Sequence, residues 1–115
     1  MKQMKRILFV VLGLCVLLLD IEPVKAQFNK QYFYYMGRRF IVNSNYGEAI
    51  EMLNTLLRYD ASVHEAFFLR GVAKYNLDDL VGAEMDYTRA IKLNPVFTLA
   101  YEYRAIAYAR LGNYD

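Results

Sequence analysis

Apolar and polar positions follow two different habits along this chain. A single unbroken apolar run, Ile7 to Leu19, stands behind a basic start at Lys2, Lys5 and Arg6. From Tyr32 onward, apolar residues recur three and four apart between short polar stretches, the spacing of amphipathic helices. This pattern predicts helices over Tyr32–Val42, Tyr46–Arg58, Val63–Asn76, Leu80–Lys92 and Val96–Leu111. Asn43-Ser44-Asn45 reads as a turn, and Tyr59-Asp60-Ala61 as the close of a unit. Asn45 with Glu48, and Ser62 with Glu65, have the spacing of capping-box starts. Asp78 or Asp79 is expected to cap the helix that begins at Leu80.

The pattern also repeats. Shifting the stretch Glu65–Pro95 by 34 residues in either direction restores it without a gap. Upstream, Phe67 falls on Phe33, Gly71 on Gly37, Asp79 on Asn45 and Ala83 on Ala49. Downstream, Phe67 falls on Tyr101, Gly71 on Ala105, Ala73 on Ala107 and Asp79 on Asn113. One fixed period of this size predicts a solenoid of helix–turn–helix units. Gly37 and Gly71 lie inside predicted helices, where glycine costs roughly 1 kcal/mol relative to alanine. Their recurrence predicts a close helix–helix approach, with Ala49 and Ala83 as the small residues facing them.

Phe67, Gly71, Tyr75, Ala83, Tyr87, Ala90 and Pro95, together with the tail YTRAIKLNP, resemble the tetratricopeptide repeat (TPR) family. The resemblance runs from about Gln31 to Asp115 and implies an all-α, TPR-type helix–turn–helix solenoid of about 2.5 repeats. The repeats would span residues 32–62, 63–95 and, incompletely, 96–115, after a lead-in at 27–31. In that family the first helix of each unit lines a concave groove that holds peptide segments. Carried over by register, the groove candidates are Tyr34, Arg38 and Ile41 in repeat one and Phe68, Val72 and Tyr75 in repeat two. In repeat three they are Glu102, Ile106 and Arg110. Tyrosine and arginine often anchor interfaces, because each joins a large contact area to a polar handle. One TPR subclass grips a terminal carboxylate with a Lys/Asn/Arg clamp. Tyr34, Arg38, Glu65, Phe68 and Leu69 occupy that region here and form no such clamp, so chaperone C-termini are not expected partners.

Composition narrows the picture. The chain of 115 residues is 57% hydrophobic and 23% charged, enough for one small packed domain. Residues 27–115 hold ten basic and ten acidic side chains, and a neutral body gives no electrostatic case for nucleic acid. Residues 1–26 have the basic start, apolar run and Val24-Lys25-Ala26 cut site of a secretory signal peptide, with cleavage expected before Gln27. The run is shorter than the roughly 20 residues of a membrane span. Retention of the uncut segment as a tether is the alternative. Lipidation at Cys15 is disfavoured by Leu14, which stands where a small residue is preferred. Export to a periplasmic, cell-surface or secreted location follows if the signal is used.

Candidate chemistry is sparse. Cys15 is the one cysteine and His64 the one histidine, so neither a disulfide nor a His/Cys metal site can form within the chain. Ser44 and Ser62 read as turn and cap residues rather than nucleophiles, and no glycine-rich phosphate loop is present. His64 is expected at the surface. The acidic pairs Asp78-Asp79 and Glu84-Asp86 read as a helix cap and a solvated face. The sequence therefore predicts no enzyme and no cofactor. It predicts a scaffold that binds a protein or peptide of unspecified identity. The alternative is an accessory segment of a larger enzyme or signalling protein. The chain ends at Asn113-Tyr114-Asp115, where a further helix is expected to start, so it reads as the N-terminal portion of a longer protein.

Overall fold

The computed structural model describes residues 1–19 and 22–112 and contains six helices. They are α1 (Lys2–Leu19), α2 (Glu22–Val42), α3 (Tyr46–Tyr59), α4 (His64–Asn76), α5 (Leu80–Leu93) and α6 (Thr98–Leu111). From α3 onward each helix begins and ends within two residues of the expected place. The exception is α2, which begins at Glu22 and absorbs the lead-in expected at 27–31. Nothing in that stretch interrupts a helix. Pro23 falls in the first turn, where its missing N–H would have had no intrahelical partner. The cut expected before Gln27 thus falls inside α2. The helix start expected at Asn113-Tyr114-Asp115 lies outside the described residues.

The repeat is visible in the turns. Ser44 and Asp78 adopt left-handed backbone, with φ of 60° and 62°, and Gly112 follows at 74°, each 34 residues after the last. After α2, the Ser44 N–H donates to the Ile41 carbonyl and the Asn45 N–H to the Phe40 carbonyl. After α4, Asp78 donates to Tyr75 and Asp79 to Lys74 in the same way. This is the Schellman closure, which satisfies carbonyls that the helix end would otherwise orphan. Neither of the two expected capping boxes forms. Asn45 and Val63 precede α3 and α4 without a side-chain cap, and Ser62 instead donates to Asp60 through its backbone and hydroxyl. Asp79 does cap α5, accepting from the Gly82 N–H at 3.0 Å.

The helices form two layers. From α2 onward each packs on the next in sequence, and α2 also meets α4 while α4 meets α6. Helices α3 and α5 do not meet. The first helices of the units therefore lie closer together than the second helices, so α2, α4 and α6 form the inner face of the curve. Between the layers lie residues 34 apart: Leu53 and Tyr87, Ala49 and Ala83, Ala66 and Ala100, Ala73 and Ala107, all with no exposed surface. The architecture is a TPR-type helical solenoid. α1 stands apart from this core, with Met4 and Ile7 to Leu12 exposed. No helix among the described residues is long and apolar enough to cross a membrane.

Gly37 and Gly71 sit at close approaches between the layers. A Cβ on Gly71 would lie 2.6 Å from Cε1 of Tyr87, and one on Gly37 would lie 2.9 Å from Cγ of Leu53. The close approach expected at these positions is present. Its partners are the large residues Leu53 and Tyr87, one turn beyond Ala49 and Ala83. The Tyr87 hydroxyl has no hydrogen-bond partner among the described residues, and burial pushes its pKa upward.

Candidate functional site

The inner face is built from the exposed flanks of α2, α4 and α6. The nine residues expected there fall into three groups. Arg38, Glu102 and Ile106 are exposed, as is Arg110 on the last turn of α6. Tyr34, Ile41, Val72 and Tyr75 are half-buried. Phe68 is 9% exposed and packs against Tyr87, Phe97 and Tyr103, with ring centroids 5.0–5.8 Å away. It is a packing residue, because Phe97 and Tyr103 close over it.

Polar contacts join one inner helix to the next. The Tyr34 hydroxyl on α2 donates to Glu65 on α4 at 2.7 Å. Partial burial, and then this bond to a carboxylate, raise the Tyr34 phenol above its usual pKa. The Arg38 guanidinium lies 5.9 Å over the Tyr34 ring. On the far side, Arg110 of α6 lies 4.8 Å over the Tyr75 ring and pairs with Asp78 at 2.7 Å. Tyr34 with Arg38, and Tyr75 with Arg110, thus form two aromatic–cation pairs on the inner helices. Arg110 joins this face although it stands outside the 34-residue register of the other candidates.

A buried ionic cluster escaped sequence reasoning. Asp86 on α5 is 4% exposed and is gripped by both Nε and Nη2 of Arg70 at 2.9 and 2.7 Å. Lys74 adds a contact at 3.1 Å, and Arg70 also donates to Asn54 of α3 at 2.8 Å. Asp86 was expected on a solvated face. Yet it lies three residues after Ala83 and four before Ala90, on the buried stripe of its helix, and that spacing carried the signal. The cluster ties three helices of two repeats together, and its groups face one another rather than open space. Thirty-four residues on, Arg104 repeats the Arg70–Asn54 contact by donating to Thr88 at 3.2 Å. His64 likewise is not a free surface residue. Its Nε2 is 3.2 Å from the Asn94 amide, and its ring meets the Phe97 ring at 5.1 Å.

Between α2 and α4 an open cleft of about 280 Å³ is lined by Lys30, Gln31, Tyr34, Leu56, Val63 and Glu65. Lys30 pairs there with Asp60 at 3.0 Å. Hydrogen bonds from Ser62, with Lys30 beside it, hold the Asp60 carboxyl well down, at about 2. Among the described residues no three His, Cys, Asp or Glu side chains gather into a metal-binding group.

The tetratricopeptide repeat family matches residues 34–87, from the middle of α2 to the middle of α5. The comparison with curated proteins gives no match. Repeats of this family mediate protein–protein interaction.

Proposed function

We propose that the chain is a scaffold that binds a segment of a partner protein along the inner face of α2, α4 and α6. The observation that carries this reading is the pair of aromatic–cation contacts on these helices, Arg38 over Tyr34 and Arg110 over Tyr75. Stacked cations and rings offer large area with little conformational freedom left to lose on binding. The test is affinity capture with the full chain beside a variant carrying Arg38→Ala, Tyr75→Ala and Ile106→Asp, whose helical circular dichroism is shown to be intact. Phe68 is left alone because its loss would damage the core. A partner captured by the first and lost from the second supports the reading. A partner retained by both places binding elsewhere.

Export is a second part of the proposal. It is supported by the basic start and by the apolar side chains of α1, which stay exposed instead of joining the repeats. The N-terminus of the exported protein tests it. A start at Gln27 supports a cleaved signal. Recovery of Met1 or Lys2 instead supports a tether. An accessory role in a larger enzyme or signalling protein remains the alternative functional reading, and the downstream coding sequence separates it from a free-standing scaffold.

A further inference from the structure

The two junctions between repeats are built at register-equivalent positions, and one of their differences is a ring. At the second junction Phe97 leads into α6, and its ring packs at 5.0 Å from Phe68 and 5.1 Å from His64. At the first junction Val63 holds the same place before α4. The backbones match: φ and ψ are −82° and 94° at Val63, and −79° and 86° at Phe97. The surroundings correspond as well. Lys30 with Asp60 becomes His64 with Asn94, and Tyr34 becomes Phe68. Val63 brings no ring to the first junction. The Tyr34 hydroxyl there is held by Glu65. At this place lies the cleft of about 280 Å³ lined by Tyr34, Val63 and Glu65, with buried Leu56 as part of its lining.

We infer that this cleft takes one aromatic side chain from the bound segment, seated where the chain's own Phe97 sits one repeat later. The inference rests on the inner-face binding proposed above and names the anchor. Val63 and Leu56 supply the apolar wall, and the Tyr34 ring supplies a side for edge-to-face contact. Gln31 and Glu65 stand exposed at the mouth, with amide and carboxylate groups suited to the backbone N–H and C=O flanking the ring. A ring buried in a pocket at the centre of an interface is the usual form of a dominant contact.

The test uses N-acetyl-phenylalaninamide, with N-acetyl-alaninamide as control, titrated into the isotope-labelled full chain and followed by amide chemical shifts. Saturable shifts at Gln31, Tyr34, Val63 and Glu65 with the first compound alone are expected. Val63→Phe fills the cleft from within by copying the second junction, and should weaken those shifts by roughly tenfold or more while the rest of the spectrum stays folded. Should that variant lose its fold, Gln31→Trp blocks the mouth from the exposed surface of α2 and should have the same effect. No saturable shift in the unmodified chain, or shifts unchanged by a folded blocking variant, overturns the inference. Failure of the wider reading looks different. A captured partner that is lost from the inner-face variant but kept by Val63→Phe leaves the groove standing and removes the anchor.

Discussion

Gly71 lies directly against the ring of Tyr87, so close that a Cβ on the glycine would stand 2.6 Å from Cε1. The contact sets the distance between α4 and α5. It recurs between Gly37 and Leu53, where the Cβ would meet Cγ and Cδ2 at 2.9 Å. Gly71→Ala would gain about 1 kcal/mol of helix propensity. It must also displace a ring that is fully enclosed, and overpacking of this kind costs about 1–3 kcal/mol. A lower melting temperature is expected for Gly71→Ala. Gly47→Ala, with nothing within 4 Å of the added carbon, should be neutral or slightly stabilising. Thermal denaturation of the two variants checks both signs.

Asp86 is expected to be the most sensitive polar residue. Removing it leaves the Arg70 guanidinium, whose side chain is only 18% exposed, without its carboxylate. Breaking a buried pair from one side costs about 3–5 kcal/mol, far more than the surface pair between Arg110 and Asp78 is worth. Asp86→Ala should therefore lower stability by about 3 kcal/mol or prevent folding, whereas Asp78→Ala should cost far less. Chemical denaturation of both variants makes the comparison.

These two cases show what was legible. The 34-residue register, the helix limits from α3 onward and the tight glycine crossings follow from spacing alone. The glycine's facing partner was misplaced by one turn. A small residue opposite a small residue is the simplest guess, whereas here the glycine makes room for Leu53 or Tyr87. Asp86 was read by its chemistry rather than its position, although Ala83 and Ala90 already fixed its helix face. The extension of α2 to Glu22 carried no apolar stripe to announce it. The cleft beside Val63 follows from comparing Val63 with Phe97, a difference that shows its effect only once the rings around Phe97 are placed in space.

The left-handed turn positions give a prediction of opposite sign. Ser44 and Asp78 pay the steric cost of positive φ that Gly112 avoids. Ser44→Gly should stabilise by a few tenths to about 1 kcal/mol, the gain being reduced by the greater freedom of glycine in the unfolded chain. Asp78→Gly should gain less, since it also gives up the contact with Arg110. Urea midpoints read both.

Asp60 makes the acid limb of stability depend on the first junction. Its folded pKa, about 2, lies below the ordinary 3.8. Its contribution is therefore complete above the ordinary value and is lost as pH falls through about 2. Asp60→Asn should be less stable than the unmodified chain at pH 7, with the gap closing towards pH 2. Melting temperatures at pH 7, 4 and 2 test this, and a gap that stays constant across them would remove the assignment.

The most direct measurement of inner-face binding is site-specific photo-cross-linking in the full chain. A benzoylphenylalanine is placed in turn at the inner positions of Arg38, Val72 and Ile106 and at the outer positions of Glu51 and Met85. The inner-face account predicts one common adduct from positions 38, 72 and 106, on α2, α4 and α6, and none from 51 and 85. The same adduct from α3 and α5, with none from the inner helices, would contradict it.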